Sequence, residues 1–243
     1  MINRRFISDD FEENLSFLKT TYNLANYNSN YDSCIKEIKN ITLVPRSGTH
    51  NNFKVKEEVI IYVINGELLY SDSLGNNENF YKGNIIYIPS GNGITYDIFN
   101  NGLDLLDIVE INLFIDSSHL SSSSRSPTNI SKTTVAYSHF DNIPVNQWNY
   151  RISSTNGLAL IKSIYDINIY SLSLLSDEKV DFTIGKNRQG FLFQSYGQSI
   201  FTTNNLENKV TLTGVDTLHI TNENFEILAY IPSDLLLIET CII

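Results

Sequence analysis

Few residues in this chain combine the type and the spacing that chemistry asks for. Its four histidines, His50, His119, His139 and His219, are scattered and form no ligand set. His119, His139 and His219 are therefore expected to be surface or core histidines. The two cysteines, Cys34 and Cys241, lie at opposite ends of the chain. A secreted domain stabilised by disulfides would carry more, so a reduced, cytoplasmic protein is expected, with a two-cysteine redox switch as the weaker reading. No G-x-x-x-x-G-K-[ST] phosphate loop, no G-x-G-x-x-G opening a helix and no G-x-S-x-G elbow occurs. The glycine-rich SGNG at 90–93 connects two predicted strands, so no helix dipole is available there for a phosphate. GKNRQGF at 185–191 sets Lys186 and Arg188 beside a turn, which reads as a solvated hairpin in preference to an anion site.

The elements that must position any site are mostly strands. Residues 10–20 (DFEENLSFLKT), with Asp10 as N-cap and Phe11, Leu15 and Leu18 recurring at helical spacing, predict a short amphipathic helix. From Ile35 onward the pattern changes to short apolar runs: IKEIKNITLV, EVIIYVINGELLYS, NIIYIPS, ITYDIFN and LDLLDIVEINLFI. Their connectors NG, DSLGN, KGN and SGNG are hairpin turns. The Ser-rich SSHLSSSSRSP at 117–127 reads as a flexible connector or exposed loop. A second strand series follows, from LALIKSI to LLLIETCII. An all-β protein of two barrels is the economical reading, with the first barrel and its leading helix over 1–125 and the second over 126–243. The 14 tyrosines and 13 phenylalanines suit strands better than helices.

The run YVINGELLYSDSLGN (62–76), followed by KGNIIYIPSGNGITYDIFNN (82–101), resembles the first barrel of the pirin family, bicupins of the cupin superfamily. VPRSGTHNNFK (44–54) aligns without a gap to the family's Gly-rich approach to a histidine pair, and YNLANY (22–27) matches its aromatic-rich opening motif. The resemblance implies a bicupin fold and, in active members, three histidines and one glutamate binding iron or a similar metal inside the first barrel. Carried across, the His-x-His pair falls on Asn52 and Lys54, and the His-x-Glu pair on Tyr96 and Ile98. Ile98 has no donor atom, Lys54 would repel a dication, Asn52 is a weak neutral ligand, and Tyr96 ligates only when its phenol ionises. A slip of two residues would turn His50 inward with Asn52 but oppose it to Ile94 and Tyr96, and one histidine is not a site. Glu57, Glu58 and Asp97 fall on the wrong parity or beyond the slots. No metal and no cofactor are expected.

The candidate pocket of the first barrel is therefore Asn52, Lys54, Tyr96, Ile98 and His50. If Lys54 and Tyr96 point inward, they set a cation and a hydroxyl in an apolar cup, suited to anion capture, proton transfer or Schiff-base chemistry. The alternative has Lys54 snorkelling from the mouth while Tyr96 fills space. With a net charge of −10 and no basic cluster longer than Arg4-Arg5, direct nucleic-acid binding is not expected. The start MINRRFISDDFEENL lacks the apolar core of a signal peptide, and no run approaches 18 apolar residues, so no membrane association is expected. The expected function is a metal-free, pirin-like module that binds a small molecule or a protein partner, as a monomer. The alternatives are an acid/base catalyst using Lys54 and Tyr96, or the quercetin 2,3-dioxygenase-type activity and the transcription-cofactor role that the resemblance implies for some pirins.

Overall fold

The computed structural model describes residues 2–5, 11–25, 34–54, 57–91, 93–114, 135–138, 144–154, 158–163, 165–203, 209–214 and 216–242. The structure in these residues is all strand and turn, and none of it is a helix long and apolar enough to cross a membrane. The Ser-rich segment, His119 and His139 lie outside the described residues. The chain divides into two compact units: Asp10–Asn30 with Cys34–Asp141, and Met1–Asp9 with Tyr31–Ser33 and Asn142–Ile243. The first strand, β1 (Ile2–Arg5), thus belongs to the unit built mainly from the C-terminal half.

The first barrel runs through β2 (Phe11–Leu15), β3 (Leu18–Ala25), β4 (Ile35–Leu43), β5 (Gly48–Lys54), β6 (Glu57–Asn65), β7 (Glu67–Asp72), β8 (Asn77–Tyr81), β9 (Ile85–Pro89), β10 (Ile94–Asn100), β11 (Leu106–Phe114) and β12 (Ala136–Ser138). Seven strands pair in the order β12-β9-β6-β11-β4-β3-β2, and four in the order β5-β10-β7-β8. Alternation does the rest: β10 is buried at every second position, so Ile94, Tyr96 and Ile98 face one core with Val59, Ile61 and Val63 of β6, Ile108 of β11, and Leu68 and Tyr70 of β7. The Asn65-Gly66 turn that the sequence marks is there, with Gly66 at φ 90°; a Cβ at that position would stand 2.7 Å from the Leu105 carbonyl oxygen.

The predicted N-terminal helix is not formed. Residues 11–25 make the hairpin β2–β3, closed by Leu15 opposite Leu18, and β3 pairs with β4 from Leu18 opposite Leu43 onward. Leu15 is 54% exposed, while Leu18 packs on the core, so the helical spacing of apolar residues marks no buried stripe. An available sheet edge at β4 satisfies this backbone better than four orphan groups at each end of a short helix would.

The second unit comprises β1, β13 (Asn149–Ser153), β14 (Ile161–Lys162), β15 (Ile167–Leu174), β16 (Lys179–Thr183), β17 (Arg188–Thr203), β18 (Lys209–Thr213), β19 (Thr217–Thr221) and β20 (Asn224–Cys241). Its sheet runs β1-β19-β17-β20-β15-β13-β14, with β16 on β20 and β18 on β17. The long strands β17 and β20 pair along both halves and shift register at Gln194, Tyr196 and Gln198, where bulges bend the sheet around a core that includes Leu172, Leu192, Phe225 and Leu237.

Candidate functional site in the first barrel

β5 and β10 run antiparallel with Ile94 opposite Lys54, Tyr96 opposite Asn52 and Ile98 opposite Thr49. The register shifts between Tyr96 and Ile98. Asn51 takes up the extra residue in the left-handed region, at φ 57°, and its N–H donates to Asp97 Oδ1 at 2.6 Å. Across that bulge the alternation breaks. His50 is left 65% exposed with its Nδ1 3.5 Å from Asp97 Oδ2, while Thr49 turns toward the interior. The structure thus brings together Asn52, Lys54, Tyr96 and Ile98 on one cavity of about 380 Å³ and leaves His50 outside its lining.

The strongest electrostatics of this cavity come from residues that sequence reasoning passes over, Lys39 and Glu110. Glu110, on β11 and buried, accepts hydrogen bonds from Tyr96 Oη at 3.1 Å and Asn112 Nδ2 at 2.9 Å, and Lys39 Nζ lies 3.0 Å from its Oε1. Lys39 Nζ also meets Glu37 Oε1 at 3.1 Å, and Asn112 Nδ2 donates to that oxygen at 2.8 Å. Burial alone would raise the Glu110 pKa, but the Lys39 and Lys54 cations and the hydrogen bonds from Asn112 and Lys39 outweigh it and hold the carboxyl below its usual range. Burial likewise works against the charge of Lys39, yet Glu110 and Glu37 hold its pKa above the ordinary lysine value. Tyr96 is the reverse case: burial, reinforced by the Glu110 charge, pushes its phenol well above the usual range, so it is a neutral donor. Its ring stacks on Tyr70 at 6.0 Å, and Tyr70 Oη in turn donates to Asp72 Oδ2.

Lys54 does not extend into solvent. Its side chain is 17% exposed, lines the cavity and stands 3.7 Å from Glu57 Oε2, while Glu57 Oε1 is held by Lys36 at 2.5 Å. Asn52 directs Nδ2 to Thr49 Oγ1 at 2.8 Å. Glu58 points to the other face of β6, where it is 2% exposed and accepts a hydrogen bond from Tyr87 Oη; burial, opposed by that bond, raises its pKa to about 8. Glu37, Lys39, Glu110 and Asn112 do carry a sequence signal. They are spaced two apart in KEIK and in VEIN, on the same parity as the inward Ile41 and Ile108, a pattern that becomes informative only once β4 is paired with β11.

The residues at the four carried-over slots do not fit a divalent metal. Ile98 brings no donor atom, Lys54 brings a cation, Asn52 brings only a weak, neutral carboxamide oxygen, and the Tyr96 phenol is kept protonated and turned to Glu110. Among the described residues no three His, Cys, Asp or Glu converge in a metal-binding arrangement.

Elsewhere the reading of 185–191 as a solvated hairpin holds only for exposed Lys186. Arg188 is part of an ion network, with Nε 2.8 Å from Glu239 Oε1 and Nη1 2.9 Å from Asp166 Oδ1, and Tyr170 Oη donates to Glu239 Oε2 at 3.0 Å. His219 stacks on Phe191 and meets Gln189 Oε1 through Nε2 at 2.9 Å. Cys34 and Cys241 are not disulfide-bonded.

No protein-family model matches the sequence, and no curated protein matches it. Solved structures match nearly end to end. YhhW from Escherichia coli superposes with a TM-score of 0.81 at 21% identity, covering 100% of this chain and 99% of that one. A second YhhW structure, described as a bacterial pirin in complex with nickel(II), gives 0.80 at 21% identity over 100% of both chains. A quercetin 2,3-dioxygenase from Acinetobacter baumannii gives 0.71 at 12% identity, over 98% of this chain and 83% of that one. Identities this low establish shared architecture and leave the chemistry to the residues. In fold, this chain is similar to the bacterial pirin YhhW over its whole length.

Proposed function

We propose that the protein is a binding module whose first barrel takes up a small, partly apolar molecule without a metal. The observation that carries this reading is the cavity of about 380 Å³ in which Asn52, Lys54, Tyr96 and Ile98 stand together at the slots where the resemblance implies ligands. Ile98, Ile41 and Leu18 offer apolar lining, and Lys54 and Asn52 offer polar groups beside it. A volume of that size accommodates a molecule of about ten to twenty heavy atoms. Binding is favoured over acid/base catalysis because Tyr96, one of the two groups that catalysis would use, is held protonated against Glu110 and is not poised near neutrality.

Two measurements test it. Elemental analysis of protein purified without added metal is expected to find far less than one metal per chain; a stoichiometric, tightly held iron would overturn the reading. Calorimetric titration with benzoate and phenol, as probes with and without a carboxylate, is expected to give saturable binding to one site. Lys54→Met should weaken benzoate about tenfold or more while leaving phenol within about twofold, since an ammonium–carboxylate contact is worth roughly 1.5–3 kcal/mol. Failure of both probes and of native mass spectrometry to find any bound small molecule would shift the assignment to a partner surface. The reading takes the protein as a cytoplasmic monomer, which sedimentation equilibrium checks for mass.

A further inference from the structure

Two carboxylates from adjacent strands converge beside this cavity. Lys39 stands opposite Glu110 and Glu37 opposite Asn112 in the β4–β11 register, so the four side chains form one patch. Glu37 Oε1 and Glu110 Oε1 both lie within about 3 Å of Lys39 Nζ, and both accept from Asn112 Nδ2. Asn112 is fully buried, and its Oδ1 has no hydrogen-bond partner. Two anions this close repel and require positive charge between them. Either a bound cation or a side-chain ammonium can supply it.

We propose that Lys39 is the resident cation of the first barrel: its tethered ammonium holds Glu37 and Glu110 together and keeps a dication from entering between them. The inference rests on the metal-free reading above and gives it a physical cause. Because Lys39 is covalently attached, its ammonium is present at an effective concentration of the order of millimolar or more, against which a free cation must compete. Lys54 adds a second positive charge facing Glu110, so the two carboxylates are already balanced. Without Lys39, the patch would carry net negative charge and leave the Glu37 and Glu110 oxygens, still joined through Asn112 Nδ2, facing the vacated ammonium position. That is a donor set for a hard divalent ion such as Mn2+.

The test is titration with Mn2+, following the free ion by its paramagnetic resonance, on the full chain as wild type, Lys39→Ala and Lys39→Ala/Glu110→Gln. Lys39→Ala is expected to bind one equivalent at least about 100-fold tighter than wild type, and the double variant to fall back to the wild-type level. Mn2+ should raise the melting temperature of Lys39→Ala and leave that of wild type unchanged. Should Lys39→Ala fold only when Mn2+ is present, that dependence is itself the expected result. Should it fold under neither condition, Lys39→Gln, which keeps the bulk and loses the charge, is titrated in its place. A folded Lys39 variant that binds Mn2+ no tighter than wild type overturns this proposal and leaves the metal-free reading standing. Tight, stoichiometric Mn2+ binding by wild type overturns both.

Discussion

Replacing Glu58 by Gln should make the protein more stable at neutral and alkaline pH and no more stable in acid. Glu58 is 2% exposed, with Tyr87 Oη as its hydrogen-bond donor, and its folded-state pKa is raised to about 8 from an ordinary value of 4.5, first because burial penalises the carboxylate. A carboxyl raised in the folded state binds a proton there that the unfolded chain has already released. Its contribution is therefore fully present below pH 4.5, declines by about 1.4 kcal/mol for each pH unit, and stops declining above about pH 8. Glutamine keeps the carbonyl that accepts from Tyr87 and has no proton to lose. The stability difference between Glu58→Gln and wild type should therefore grow by about 4 kcal/mol between pH 5 and pH 8 and then level off. Urea unfolding at four or five pH values, followed by far-ultraviolet circular dichroism, measures it, and subtracting the two curves removes every other titrating group. Parallel stability curves for the two proteins would refute the reasoning, as would a difference that grows below pH 4.

Two other outcomes concern the ion networks. Tyr96→Phe removes the phenol donor to Glu110, a hydrogen bond to a charged group, and should cost about 1.5–3 kcal/mol in denaturant unfolding with little change in shape by circular dichroism. Arg188→Met strips the counter-charge from Asp166 and Glu239 in the second barrel and should cost about 3–5 kcal/mol, an effect that high salt leaves largely intact because the network is half-buried.

Much of the first barrel is legible in the sequence because its turns and its alternation are local. The Asn65-Gly66 turn and the alternating β10 are read directly from NG and from ITYDIFN, and the carried-over slots Asn52, Lys54, Tyr96 and Ile98 do meet on one cavity. What the sequence hides is set by tertiary pairing. The helix predicted over 10–20 loses to an edge of β4 that no local pattern announces. His50 falls outside because the Asn51 bulge inserts one residue, and a single insertion reverses every later side chain of a strand. Lys39 and Glu110 escape notice for another reason. Each is an ordinary charge in its own strand, and only the β4–β11 register brings them together. Arg188 likewise sits on a turn in sequence, yet its partners Asp166 and Glu239 lie 22 and 51 positions away.

The placement of β1 in the sheet of the second unit, opposite β19 from Ile2↔Ile220 to Arg5↔Thr217, bears on how the chain can be built and cut. Nearly the whole described chain separates β1 from β19, so the strands of the first barrel can pair while β1 still lacks its partner. A C-terminal fragment starting after the Ser-rich segment would leave β19 as an open edge, with a row of free amide and carbonyl groups inviting a neighbour's strand. Supplied separately as a peptide, residues 2–5 are the piece that such a fragment lacks.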